Sequence, residues 1–158
     1  MTIEIKKSST ADTRTCDYSK VTKDELLKSS IQHINDVDKG MTYIINCLLY
    51  AREHHDRTKL SHIDDFYKDF KTGFKSTKWW EMHQKEERHH FNNKEYIQDN
   101  INLIDIIEQI VDGVMAGMAR SGEYRYEPVD NELLQKAYKN TADMLIKQVR
   151  ILGDNDVD

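Results

Sequence analysis

The sequence predicts an all-α fold, a single compact domain of five or six helices. Three observations carry that prediction. Apolar residues recur at helical spacing in successive segments, and no stretch of any length alternates as a strand would. Internal repeats and linkers are absent, which keeps the 158 residues within the size of one domain with a real core. The expected organisation is a flexible N-terminal arm over 1–20, a helical domain over 21–152 and a frayed tail over 153–158.

The elements follow in order. Residues 1–20 are rich in Ser, Thr and Lys and lack helical periodicity, with at most a short strand at Ile3–Ile5. Helix begins at Thr22, where Thr22 and Glu25 form a capping box that satisfies two orphan amides reciprocally. Leu26, Leu27, Ile31, Ile34 and Val37 then recur at helical spacing up to Gly40, a natural break. A second helix is expected from Met41 to Glu53. Phe66, Tyr67, Phe70 and Phe74 predict a short amphipathic helix ending near Gly73. The run WWEMHQKEERHH has no Gly or Pro and predicts continuous helix up to Asn92 and Asn93. Residues 97–119 hold the most apolar segment and predict the buried helix of the domain, with Met115 and Met118 as core fillers. After a loop from Gly122 to Pro128, residues 130–152 predict a last amphipathic helix.

Charge narrows the function classes. The chain has 23 Lys+Arg against 28 Asp+Glu, a net charge of −5, which argues against nucleic acid or anionic lipid as a partner. Two cysteines, Cys16 and Cys47, make no disulfide framework and no metal-type pair. No apolar run reaches the ~20 residues of a membrane span and no signal-peptide core follows Met1, so a cytoplasmic protein is expected.

Six of the seven histidines fall between residues 54 and 90. His55-Asp56 ends an apolar helix, where an imidazole and a hard carboxylate oxygen can point at one cation. His33 is polar where a plain amphipathic helix would place an apolar residue. Asp112 lies inside IIEQIVDGVMAG, where an unpaired carboxylate would be costly to bury, and Glu108 shares its face one turn earlier. His83, Glu87 and His90 share one face of the expected helix, their imidazoles roughly 10 Å apart along the axis. That spacing suits a two-metal site or a phosphate contact better than a single ion.

Taken together, His33, His55-Asp56 with Lys59, and Asp112 resemble the H…HD…D signature of the HD-domain metal-dependent phosphohydrolases. The segments LLYAREHHDRTKL, WWEMHQKEERHHF and IIEQIVDGVMAG also resemble an uncharacterised phage and bacterial family related to that superfamily. The resemblance covers about residues 22–120. It implies an HD-like helical fold in which His33, His55, Asp56 and Asp112 ligate a divalent metal. It further implies that Lys59 lies near the substrate phosphate, and that His83 with His89 or His90 brings a second metal. His54, where the family often has an apolar residue, departs from the pattern. Asp105 is an alternative last ligand; Asp112 is preferred because the small residues Ala116 and Gly117 follow it.

Plainer readings stand beside these. His55-Asp56 also suits an exposed helix C-terminus, where the dipole favours the imidazole. His83, Glu87 and His90 also suit a solvated charged face. Trp79 and Trp80 with Phe74 and Phe91 suit a core or lid as well as a base-stacking platform. Lys75, Lys78 and Arg120 are candidate phosphate contacts that also suit a solvated surface, as do Arg125 and Tyr126.

The expected function is therefore a metal-dependent phosphohydrolase acting on a nucleotide or related phosphate ester, with Asp56 and Lys59 central to catalysis. One or two ions of Mn²⁺, Fe²⁺, Co²⁺, Ni²⁺ or Zn²⁺ suit the mixed imidazole and carboxylate donors. The location would be the host cytoplasm for a phage-encoded chain, and helical domains of this size often form homodimers. The alternative is a non-catalytic helical protein, such as a phage accessory protein or host-defence antagonist, that binds a nucleotide or a partner protein.

Overall fold

The computed structural model describes residues 1–6, 16–75, 78–124 and 128–152. The expected tail at 153–158, residues 7–15 of the expected arm, and Arg125 and Tyr126 lie outside the described residues. The described chain is mainly helical, with one two-stranded sheet. It divides into two compact units, Met1–Asn46 with Asp143–Asp158, and Cys47–Ala142.

In the first unit, strand β1 (Ile3–Lys6) precedes helix α1 (Lys23–His54). The capping box forms as the sequence predicts: Thr22 N–H donates to Glu25 Oε2 at 2.9 Å, and Glu25 N–H donates to Thr22 Oγ1 at 3.2 Å. The expected break at Gly40 does not occur, and α1 runs through it as one helix of 32 residues. A single mid-helix glycine costs about 1 kcal/mol, and nothing here asks it to turn left-handed. No residue of α1 is fully buried; Leu27, Ile31, Ile34 and Met41 are each about half exposed. Among the described residues of this unit, Ile3 is the buried apolar side chain.

The last helix, α6 (Asn131–Ile146), stops six residues before the expected end, and Val149–Leu152 form β2 instead. Val149 and Ile151 are β-branched, which favours the extended chain over another helical turn. β2 pairs parallel to β1, with Ile3 opposite Val149 and Lys6 opposite Leu152, and Ile3 N–H donates to Gln148 O at 2.8 Å. From α1, Gln32 Nε2 and Lys39 Nζ donate to the carbonyls of Lys6 and Glu4, both at 2.7 Å, covering part of the strand edge.

The second unit contains the end of α1, α2 (Arg57–Ser61), α3 (Ile63–Lys71), α4 (Lys78–Glu86), α5 (Leu103–Ser121) and the start of α6. α3 ends at Lys71, close to the expected end near Gly73, whose φ of 66° places it in the left-handed region that glycine favours. Asp69, fully buried, accepts the Trp80 N–H at 3.2 Å and so ties α3 to the first turn of α4. Trp79 is buried and stacks on Phe66 with ring centroids 4.2 Å apart, so it is core and not a platform for bases.

α4 ends at Glu86, well before the expected end at Asn92. No Gly or Pro marks the stop; tertiary hydrogen bonds make it. Glu87 Oε1 accepts Thr58 N–H at 3.0 Å and Thr58 Oγ1–H at 2.6 Å. Arg88 forks onto Asp105, with both nitrogen–oxygen distances 2.7 Å, and donates to Asn100 Oδ1 and to Asn100 O.

α5 starts at Leu103 and not at 97, on a capping box made by Asn102 and Asp105. Only Ile104, Asp105 and Ile106 of this helix are buried, so it is not the buried helix expected from its apolar run. Met115 and Met118, expected in the core, are 63% and 54% exposed. Gly117 has a separate packing reason: a Cβ there would sit 2.7 Å from Glu123 O, where the chain folds back across the helix. The apolar core gathers Ile101, Ile106 and Ala137, with Phe91, Ile97, Leu103, Val129 and Leu133 against it. Among the described residues no helix is long and apolar enough to cross a membrane.

Candidate metal centre

Five pieces of the second unit meet around Asp56. His55 and Asp56 occupy the turn between α1 and α2; Thr58 and Lys59 lie on α2; His83 is on α4; His89 and His90 come from the turn after α4; Glu108 and Asp112 are on α5. Because α4 stops at Glu86, the chain turns back on itself and His83 Nε2 and His90 Nε2 stand 2.9 Å apart. The roughly 10 Å separation expected on one continuous helix does not exist. Asp56 itself has φ 54°, a left-handed conformation that is uncommon outside glycine though tolerated by Asp.

Two overlapping groups of donors could hold a metal ion: His55, Asp56 and His89, and Asp56, His83 and His90. In each group the donor atoms lie within 4.8 Å of one another. Asp56 Oδ1 is 3.5 Å from His83 Nε2 and 3.7 Å from His89 Nε2, and Oδ2 is 3.4 Å from His55 Nε2. His55 Nε2 is also 3.5 Å from Asp112 Oδ1. Two ligands each ~2.1 Å from one ion stand about 3.0–3.4 Å apart at octahedral or tetrahedral angles, so these spacings suit a shared cation.

The back sides of the rings are held by the protein. His55 Nδ1 donates to Glu108 Oε1 at 2.9 Å, leaving Nε2 as the bare nitrogen that faces Asp56 and Asp112. His83 Nδ1 lies 2.6 Å from Thr58 Oγ1, whose single hydrogen is given to Glu87; the hydroxyl must therefore accept from Nδ1–H, and His83 Nε2 is bare as well. His89 Nδ1 approaches Glu108 Oε1 at 3.2 Å without hydrogen-bond alignment. Both ring nitrogens of His89 and Asp56 Oδ1 are buried with no hydrogen-bond partner. Bare imidazole nitrogens facing bare carboxylate oxygens repel unless a proton or a cation stands between them. The residues present fit a divalent ion.

Electrostatics follow from the same contacts. Burial would raise the Asp56 pKa, but the hydrogen bond and charge of Lys59 hold it below the usual carboxylate range. Burial would likewise raise Glu108, and His89 and His55 pull it down. Burial alone would lower His89, but Glu108, then Asp56 and Asp112, outweigh it and raise its pKa. His83 is lowered by burial against the pull of Asp56. His90 is pushed down to about 3 by burial and by the neighbouring His89 and His83. The centre thus contains anionic carboxylates beside imidazoles of which two are held neutral.

Not every residue singled out in the sequence reaches this centre. His33 is exposed on the part of α1 that belongs to the first unit, and neither donor group includes it. Asp105 is engaged by Arg88 and by the Asn102 N–H at 2.8 Å, so Asp112 is the α5 aspartate that faces His55. Lys59 pairs with Asp56 Oδ2. Lys75, Lys78 and Arg120 are exposed and take no part in the contacts described for the cluster.

Sequence reasoning passed over Thr58, which orients His83, and Arg88, which forks onto Asp105. Glu108 was noticed only as sharing a face with Asp112. A capping-box Asn102/Asp105 pair seventeen residues beyond an arginine is too common a pattern to have revealed the Arg88 clamp. Comparison with protein-family models, with curated proteins and with solved structures yields no match for this chain.

Proposed function

We propose that the chain is a metal-dependent phosphohydrolase of the HD type, acting on a nucleotide or related phosphate ester. The observation that carries this reading is the sharing of Asp56 between two donor groups of imidazole and carboxylate. His55, Asp56 and His89 would hold one ion, and Asp56, His83 and His90 a second, with Asp112 beside His55 at the open side. Mn²⁺, Fe²⁺, Co²⁺, Ni²⁺ and Zn²⁺ all suit such donors.

A bound divalent ion supplies positive charge at a phosphoryl oxygen and lowers the pKa of a water molecule. The chain's own residues do the rest. Glu108 and Thr58 fix the two ring orientations, and Lys59 offsets negative charge that grows on the phosphoryl group. Asp112, whose side chain is 34% exposed beside His55, would take a proton from the attacking water. The water oxygen forms the new bond to phosphorus, the ester P–O bond breaks with its electron pair moving to the leaving oxygen, and the proton ends on that oxygen.

The test is elemental analysis after incubation with each of the five metals, followed by a phosphoester screen, for the wild type, Asp56→Asn and Asp56→Ala. One or two equivalents in the wild type, lost together with turnover in both variants, is expected. Full activity in Asp56→Ala sinks the reading. Stoichiometric metal with no turnover across the screen moves the protein to a binding role.

A further inference from the structure

We propose that a cavity between α1 and α5, opening beside the metal centre, is its leaving-group subsite. The inference rests on the phosphohydrolase reading and narrows its substrate to a phosphomonoester with a compact apolar or aromatic group.

α5 carries two ridges side by side. Glu108 and Asp112, four residues apart, form an acidic ridge that faces His55. Ile107, Val111 and Met115, at the same spacing, form an apolar ridge next to it. Leu48 and Ala51, two turns and one turn before His55 respectively, close the opposite wall from α1. Together these residues bound a cavity of about 300 Å³ whose polar end is His55, Glu108 and Asp112. A ligand lying across both ridges puts its phosphate at the metal centre and its organic group against aliphatic side chains.

Three properties select the ligand. The volume lies at the small end of the range for ligand sites, room for one ring system rather than an extended dinucleotide. The apolar ridge is solvent-exposed as it stands, with Val111 at 52% and Met115 at 63%, so covering it with apolar atoms is favourable by roughly 25 cal/mol per Å². A sugar or other polyol would turn its hydroxyls toward walls that offer no partner. Charge points the same way. Arg52 is the cation among the lining residues, and it is already paired with Glu53 at 3.2 Å. A second or third phosphate would face Glu108 and Asp112 without a counter-charge.

The test uses the full chain loaded with Mn²⁺ and two non-hydrolysable probes, phenylphosphonate and 2-hydroxyethylphosphonate, titrated by calorimetry. Phenylphosphonate is expected to bind at least about tenfold more tightly. Val111→Trp and Met115→Trp fill the cavity and are expected to abolish that advantage while Mn²⁺ stoichiometry stays at the wild-type value. Both positions are exposed, so at least one variant should fold, which a thermal melt checks. Equal affinities in the wild type, or a preference that survives in a folded tryptophan variant, overturn the subsite. Turnover of phenyl phosphate is read separately. A phenylphosphonate preference without turnover sinks the hydrolase reading and leaves the subsite standing as a ligand site, whereas failure to bind any of the five metals overturns both.

Discussion

Ile101, Ile106 and Ala137 are shut off from water in the second unit, and so, as completely, are His83 and His89. The first cluster is complete as it stands. Its side chains are held by loss of apolar surface from water, and the polar groups beside it are satisfied: Asn140 Nδ2 donates to Ile101 O at 2.7 Å, and Leu103 N–H donates to Thr141 Oγ1 at 2.9 Å. The second cluster is held by directed bonds and is not complete. Glu108, Thr58 and Glu87 fix the outer edges of the rings, while the inner edges of His89 and the inner oxygen of Asp56 bond to nothing. Burying polar groups without partners costs free energy, so the second cluster is the one that a proton or a cation would complete.

That contrast can be broken at either end. Replacing Asp56 by glycine is expected to reduce phosphoester hydrolysis to background and remove bound metal. The same change relieves the left-handed backbone and deletes an orphaned oxygen, so thermal unfolding should come no earlier than in the wild type. A large drop in melting temperature would mean that Asp56 is structural. The mirror experiment is Ile101→Ala, expected to cost about 2–5 kcal/mol in denaturant unfolding with metal stoichiometry unchanged in the folded protein.

Smaller changes sharpen the comparison. Glu108→Gln removes the carboxylate behind His55 and His89 and is expected to weaken Mn²⁺ binding about 10–100-fold, read by competition with a chelator, with little change in stability. Binding should also depend on pH. His89, its pKa raised, keeps its proton to a higher pH than a free imidazole and must give it up to the metal, whereas burial favours the neutral form of His83 and His90. Protons compete more strongly as pH falls, so affinity should drop by about tenfold per pH unit below the raised His89 pKa. A flat titration between pH 6 and 8 would remove His89 from the ligand set. Last, Gly40→Ala lies outside both clusters, and nothing sits within 4 Å of the added methyl. It should stabilise the chain by about 0.5–1 kcal/mol in denaturant unfolding and leave metal binding untouched.

What the sequence made legible is what local chemistry decides. The Thr22/Glu25 box, the left-handed Gly73 after α3 and the adjacency of His55 and Asp56 all depend on residues a few positions apart. The end of α4 was hidden because its cause lies elsewhere: Thr58, 29 residues before Glu87, and Asp105, 17 residues after Arg88, hold the turn that a propensity argument continues as helix. With the helix end misplaced, the His83–His90 contact could not be seen, and the two rings looked too distant for one ion. The continuity of α1 was missed for the reverse reason, a glycine at position 40 read as a break where the helix simply continues. β2 was missed because Val149 and Ile151 extend an apolar helical pattern until their partner strand, at the other end of the chain, is known.

That pairing of distant segments has a kinetic consequence. Ile3 and Val149 meet across nearly the whole length of the chain, and their ladder spans four residues per strand. Closing a loop of that size costs on the order of 4 kcal/mol of chain entropy, against little apolar burial to offset it. The sheet should therefore form after the helices and open before them. In a native-state exchange experiment the amides of β1 would lose protection while those around Ile101 and His83 still hold theirs. The two ends of the chain would then come apart as a fastening that can be undone without unravelling what it fastens.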